Sequence, residues 1–71
     1  MQDKIENLIN QNITDAVCTF EGDACSLKLT VISKEFKDLS LVNQHRKVLK
    51  LLEDDFESGE LHALSLETRI N

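Results

Sequence analysis

The side chains in this 71-residue sequence best suited to bind a soft metal are two histidines, His45 and His62, and two cysteines, Cys18 and Cys25. Imidazole nitrogens and thiolates are ligands of zinc, copper and iron, and a Cys–His pair can also form a nucleophile with its base. The cysteines lie seven residues apart, which is not a CxxC pair. Two cysteines alone fall short of the four ligands of a structural zinc site. No third residue is placed to orient a Cys–His base, so the sequence does not predict an enzyme.

The cysteines fall in a predicted β-hairpin. Strands over 15–20 and 26–33 flank a turn at Gly22 and Asp23. The second strand alternates strictly, with Leu27, Leu29 and Val31 on one face. A turn centred on Asp23 would set Cys18 opposite Lys28 and Cys25 opposite Glu21, about 10 Å apart at the usual strand rise. Since a disulfide needs Cα atoms within about 7 Å, we predict two free thiols, Cys18 buried and Cys25 exposed.

His45 falls in a predicted helix over 41–56, which begins after Ser40 as N-cap and ends at Gly59 as C-cap. A helical wheel places His45 near the centre of an apolar arc, which predicts a packed residue. The other members of that arc are Leu41, Val42, Val48, Leu49, Leu52 and Phe56. The acidic residues Glu53, Asp54, Asp55 and Glu57 are expected to form a solvated helix end, at the unfavourable pole of the helix dipole.

His62 falls in a predicted last strand over 61–67, on the same face as Leu64 and Leu66. A first helix over 3–11 carries the apolar stripe Ile5, Leu8 and Ile9. The predicted fold is therefore α/β, in the order helix, strand, strand, helix, strand. We expect a single domain over 1–71 with a three-stranded sheet covered on one face by helices.

Two motifs in the second half of the chain resemble the BolA-like proteins. They are Gln44-His45-Arg46 followed by Val48, and "LHALS" over 61–65, with Phe36 preceding both. The short length is similar to that of the small bacterial, IbaG-type branch. The resemblance implies a BolA-like fold related to the type II KH arrangement. It also implies a non-enzymatic partner of a monothiol glutaredoxin with glutathione, in a complex that holds a bridging 2Fe–2S cluster.

The resemblance also suggests ligands for that cluster. His62 in "LHALS" is the first candidate, and the structural alternative is a packed histidine. Cys25 is the second candidate, because many relatives carry a histidine just before the second strand where this chain has Cys25-Ser26. Its alternative is an ordinary exposed thiol. Gln44 stands where the family usually has a basic residue. The chain alone is expected to hold no cluster, and to be a monomer or a weak dimer.

The alternative function implied by the resemblance is a DNA-binding regulator of stress responses and cell morphology. Its candidate contacts are Lys34, Lys37, Arg46 and Lys47, which otherwise form a solvated face. The net charge of −5 and the lack of a GxxG loop between the second strand and the long helix count against nucleic-acid binding. The same charge disfavours anionic membranes. With no apolar run of about 20 residues and no signal peptide, we expect a cytoplasmic protein.

Overall fold

The computed structural model describes residues 2–23 and 26–71. In chain order, it contains helix α1 (Gln2–Asn12), strands β1 (Val17–Glu21) and β2 (Leu27–Ile32), a short 3₁₀ helix (Lys34–Asp38), helices α2 (Leu41–Leu51) and α3 (Glu53–Ser58), and strand β3 (Leu64–Arg69). The predicted order of elements is confirmed. Within the described ranges, no helix is both long and apolar enough to cross a membrane.

The three strands form one sheet in the order β1-β2-β3. Strand β2 pairs antiparallel with β1 and parallel with β3, so the connection through α2 and α3 returns the chain to the same end of the sheet. The inner face of β2 carries Leu27, Leu29 and Val31, all buried as the alternation predicts. The helices cover this face, and the other face of the sheet carries mainly polar side chains.

The predicted hairpin register is wrong. Cys18 lies opposite Val31, and Lys28 lies opposite Glu21, which closes the hairpin. The loop is longer than a turn centred on Asp23 because Glu21 and Lys28 are the last paired residues. Gly22 at its start has a φ of 86°, and a Cβ there would collide with the carbonyl oxygen of Ser26. Cys25, which was predicted to lie opposite Glu21, is itself outside the described residues.

The core lies between the sheet and the helices. Helix α1 contributes Ile5 and Ile9 at i and i+4, which lie on one side of a helix. Phe36 is fully buried from the 3₁₀ helix, whose N-cap Ser33 accepts a hydrogen bond from the Glu35 N–H. The remaining fully or almost fully buried apolar residues are Ile13, Leu27, Leu29, Val31, Val48, Leu52 and Leu61.

The predicted single helix over 41–56 is wrong, because two helices meet at Leu52. Ser40 caps α2 as predicted, accepting a hydrogen bond from the Asn43 N–H at 3.1 Å. At Leu52 the φ and ψ angles are −103° and 5°, and its N–H bonds to the carbonyls of Leu49 and Lys50. Gly59 ends α3 in the left-handed conformation, as predicted.

The predicted apolar arc is only partly buried. Leu41, Val42, Leu49 and Phe56 are 62%, 59%, 38% and 37% exposed, whereas Val48 and Leu52 are fully buried. His45 is half-buried at the flank of the covered face. The residue on α2 that accompanies Val48 inside is Gln44, at 6% exposure. The covered face is therefore rotated away from the centre of the apolar arc.

Two further predictions are corrected around α3. Asp55 is 3% exposed, so the acidic cluster is not simply a solvated helix end. Because the chain starts a new helix at Glu53, three of these acids, Glu53, Asp54 and Asp55, occupy the first turn of α3, where the dipole favours negative charge. Strand β3 begins at Leu64, so His62 precedes the strand and does not share a strand face with Leu64 and Leu66.

Candidate functional site

His62 lies exposed on the segment that leads into β3. The residue before it, Leu61, is 1% exposed, and its N–H donates to the carbonyl of Asp55 at 3.1 Å. Two residues after His62, Leu64 pairs with Leu27 in the sheet. The imidazole is thus open to solvent while the backbone on both sides of it is fixed.

An ion-pair cluster holds the same segment against α1. Lys4 lies 2.8 Å from the buried carboxylate of Asp55 and 3.2 Å from Glu60, two residues before His62. The hydrogen bond to Asp55 is the main reason that the pKa of Lys4 is raised, and the hydrogen bond to Glu60 raises it further. The Asp55 side chain is only 4% exposed, so Lys4 compensates for burying this carboxylate. The cluster connects the start of the chain to the approach to His62.

The hairpin loop and the His62 segment lie at the same end of the sheet. Strands β2 and β3 are parallel, with Leu27 opposite Leu64, so the chain enters both strands from one side. The described end of the loop is fixed, because the Ser26 N–H donates to the Asp23 carbonyl at 3.1 Å. Cys25 precedes Ser26 in sequence and lies outside the described residues.

Cys18 differs from His62 in both exposure and acidity. It is half-buried and packs against the core from β1. Burial, and then the charge of Glu6, raise the pKa of the Cys18 thiol to about 11. The thiol is free, as predicted. Because the thiolate is the form that binds metals, a protonated and half-buried Cys18 is a poor ligand at neutral pH.

The candidate DNA contacts do not share one helix face. Lys47 lies 2.7 Å from Glu35, and this hydrogen bond, followed by one from the Thr14 N–H, lowers the pKa of Glu35. Arg46 is about 100° away on the wheel of α2 and lines a groove on another side. Lys34 and Lys37 are exposed on the 3₁₀ helix.

The groove beside Arg46 was not predicted from the sequence. It is an open depression of about 800 Å³ between α2 and α3, which we call the α2–α3 groove. Periodicity assigned its two apolar residues, Leu49 and Phe56, to the core. The sequence does contain a sign of this exposed surface, because four charged residues lie on the same side of the helices as these two apolar residues. The groove is lined by Arg46, Leu49, Lys50, Glu53, Phe56 and Glu57.

Gln44 was also missed, having been noted only as a departure from a basic residue. Its amide nitrogen donates to the carbonyls of Phe36 at 3.1 Å and Leu39 at 3.0 Å. Its amide oxygen accepts from the Thr68 hydroxyl at 2.7 Å. One buried side chain therefore joins α2 to the 3₁₀ helix and to β3. Within the described residues, no three His, Cys, Asp or Glu side chains are grouped to hold a metal ion.

Comparison with known proteins gives consistent matches. A model of the BolA-like protein family matches residues 5–71. A BolA-like protein of Dictyostelium discoideum is 35% identical over 49 residues, which span 69% of this chain and 43% of that protein. BolA1 from Arabidopsis thaliana superposes with a TM-score of 0.83 at 24% identity, covering 96% of this chain and 88% of the other. The BolA domain of SufE1 from Arabidopsis thaliana gives 0.82 at 26% identity, with the same coverage.

Proposed function

This chain belongs to the BolA-like protein family, and we propose that it is a non-enzymatic partner of a monothiol glutaredoxin, with which it shares a bridging 2Fe–2S cluster. The observation that carries the proposal is the placement of His62. Its imidazole is exposed, yet the chain is anchored at Leu61 and again at Leu64. A ligand held in this way loses little conformational freedom when a metal binds.

The donor chemistry fits a shared cluster. A 2Fe–2S cluster is held by four ligands, and histidine can replace cysteine on one iron. This chain has only two cysteines and two histidines, and the Cys18 thiol is half-buried with a raised pKa. We propose that His62 and Cys25 act as the ligands from this chain. A glutaredoxin thiolate and the thiolate of its bound glutathione would complete the set. The cluster would serve iron–sulfur handling and iron regulation.

The DNA-binding alternative has less support from the geometry. Lys47 is neutralised by Glu35, and Arg46 borders a groove that also carries Glu53 and Glu57. Non-specific DNA affinity comes from cations that contact phosphates, and the net charge here is −5. At physiological salt we expect random duplex DNA to bind no more tightly than about 10⁻⁵ M. Fluorescence anisotropy showing sub-micromolar binding that weakens steeply with salt would favour the regulator instead.

The test of the proposal compares the two histidines. The protein is mixed with a monothiol glutaredoxin, glutathione, iron and sulfide under anaerobic conditions, and the visible absorbance and circular dichroism are recorded. His62→Ala should abolish or shift the cluster spectrum, because it removes an exposed ligand and little packing. His45→Ala is the matched control and should leave the spectrum unchanged. An unaltered spectrum with His62→Ala would show that His62 is not a ligand.

A second pair of variants tests the thiol ligand. Cys25→Ser should weaken or alter the cluster if Cys25 supplies a thiolate. Cys18→Ala should leave the cluster spectrum unchanged, because this half-buried thiol faces the core. Far-ultraviolet circular dichroism of each variant alone checks the fold. The reverse pattern, with Cys18 required and Cys25 dispensable, would contradict the proposed ligand set.

A further inference from the structure

The α2–α3 groove is an exposed surface with an apolar centre. Of the six large apolar side chains that are exposed in the described residues, four lie on α2 and α3. Two of them, Leu49 and Phe56, line the groove. They are seven residues apart, which is about two helical turns, so they lie on the same side of the chain across the junction at Leu52. An apolar strip bordered by charges is typical of a protein–protein contact surface.

The four charged side chains around this centre form no ion pair among the described residues, and each has a like charge four residues away on its own helix. Arg46 and Lys50 are four residues apart on α2, and Glu53 and Glu57 are four residues apart on α3. Like charges at this spacing in a helix repel each other. The ion pairs among the described residues involve none of these four side chains. A partner that neutralised both signs would therefore remove two repulsions.

The order of the charges is self-complementary. The junction between Leu51 and Leu52 is the midpoint between positions 46 and 57, and also between positions 50 and 53. An antiparallel copy related by a two-fold axis at this midpoint would bring a cation onto an anion at every one of these positions. A two-fold interface makes each contact twice, so two kinds of pair become four ion pairs.

We propose that the α2–α3 groove binds the same groove of a second copy of this chain, around a two-fold axis near the α2–α3 junction. Arg46 then faces Glu57 of the second copy, and Lys50 faces its Glu53. Leu49 and Phe56 form the apolar centre. A partner of another kind, with a basic or an acidic surface, would match only half of the groove. Because the surface is small, we expect a dissociation constant on the order of 10⁻⁴ M.

The experiment uses two charge-reversed variants. Arg46→Glu with Lys50→Glu makes the groove wholly acidic, and Glu53→Lys with Glu57→Lys makes it wholly basic. Each variant alone should self-associate at least about tenfold more weakly than the wild type, because like charges now face each other. Mixed together, the two should form a heterodimer. Sedimentation velocity over a concentration series measures all three cases on the protein alone, without iron or glutaredoxin.

The controls separate this surface from bulk charge. Each double reversal moves the net charge of −5 by four units, to −9 or −1, so both variants stay negative and have no general attraction. Lys34→Glu with Lys37→Glu, and Asp3→Lys with Asp38→Lys, make the same changes at other exposed positions. These controls should associate like the wild type.

A second measurement does not depend on how well the variants fold. Dilution of the wild type, followed by NMR, should shift the signals of Leu49 and Phe56 and leave those of Lys34 unchanged. A wild type that stays monomeric at millimolar concentration would overturn the proposal. So would a dimer whose dilution shifts lie outside the groove, or charge-reversed variants that fold but do not pair when mixed.

Discussion

The two sides of α2 reverse the usual distribution of polar and apolar side chains. On the covered side, the polar Gln44 is 6% exposed beside the fully buried Val48. On the open side, Val42 and Leu49 are 59% and 38% exposed. The difference shows that hydrogen-bond partners, as well as hydropathy, decide which side of a helix is covered. A buried amide with every partner in place costs little, whereas apolar side chains left outside mark a surface for contact.

The buried amide should be the most sensitive point on the helix. Gln44→Ala leaves the carbonyls of Phe36 and Leu39 and the hydroxyl of Thr68 without this partner. We expect a loss of about 3 kcal/mol in the free energy of unfolding, since each buried polar group left unsatisfied costs about 1–3 kcal/mol. Urea denaturation followed by circular dichroism measures it.

The neighbouring residue on the open side provides the control. Asn43→Ala should cost less than about 0.5 kcal/mol, the usual range for exposed positions. Thr68→Val alone should be destabilising. In the double variant with Gln44→Ala, the total loss should be smaller than the sum of the two single losses, because the two side chains share one hydrogen bond. Equal losses for Gln44→Ala and Asn43→Ala would remove the contrast between the two sides.

Two adjacent apolar residues, Val48 on the covered side of α2 and Leu49 on its open side, test the contrast between the two sides without involving polar groups. Val48→Ala deletes two methyl groups from a fully buried site, and we expect a loss of about 2 kcal/mol. Leu49→Ala removes more carbon but lies in the groove, and should cost less than about 1 kcal/mol at low protein concentration. Chemical denaturation of both variants gives the comparison. A larger loss at Leu49 would mean that the groove is covered within one molecule.

A smaller, pH-dependent effect is expected at the flank between the two sides, where Lys47 meets Glu35. The pKa of Glu35 is lowered from 4.5 by Lys47 and by the Thr14 N–H. A lowered folded-state pKa contributes stability above the unfolded pKa, and this is lost as the pH falls through the folded value. Glu35→Gln should therefore show a smaller fall in stability between about pH 7 and about pH 3. Lys47→Gln, which removes the hydrogen-bond partner of Glu35, should reduce the fall in the same direction.

Element order and most of the core follow from periodicity, and the errors have physical causes. The hairpin register could have been corrected from side-chain faces. Setting Cys18 opposite Lys28 puts a core-facing residue on the solvent face, whereas Cys18 opposite Val31 and Phe20 opposite Leu29 keep every buried residue on one side. The break at Leu52 also has a sequence marker, because three acids follow it, as is common in the first turn of a helix.

Other features depend on tertiary contacts that no local pattern encodes. Gln44 is buried because Thr68, 24 residues later, supplies a hydroxyl at the right place. Asp55 is buried because Lys4 reaches it from the first helix. At the candidate site, the sequence motif identified His62 but placed it within the last strand. Because β3 begins only at Leu64, His62 is instead an exposed residue on an anchored segment before the strand. Its role as a ligand stays a prediction.

The central position of β2 has a consequence for synthesis on the ribosome. Its antiparallel neighbour β1 is adjacent in sequence and can pair as soon as the hairpin emerges, whereas its parallel neighbour β3 is made more than 30 residues after β2 ends. Until Leu64–Arg69 emerges, the edge of β2 that pairs with β3 offers unpaired backbone groups. Such an edge is a template for pairing with other nascent chains.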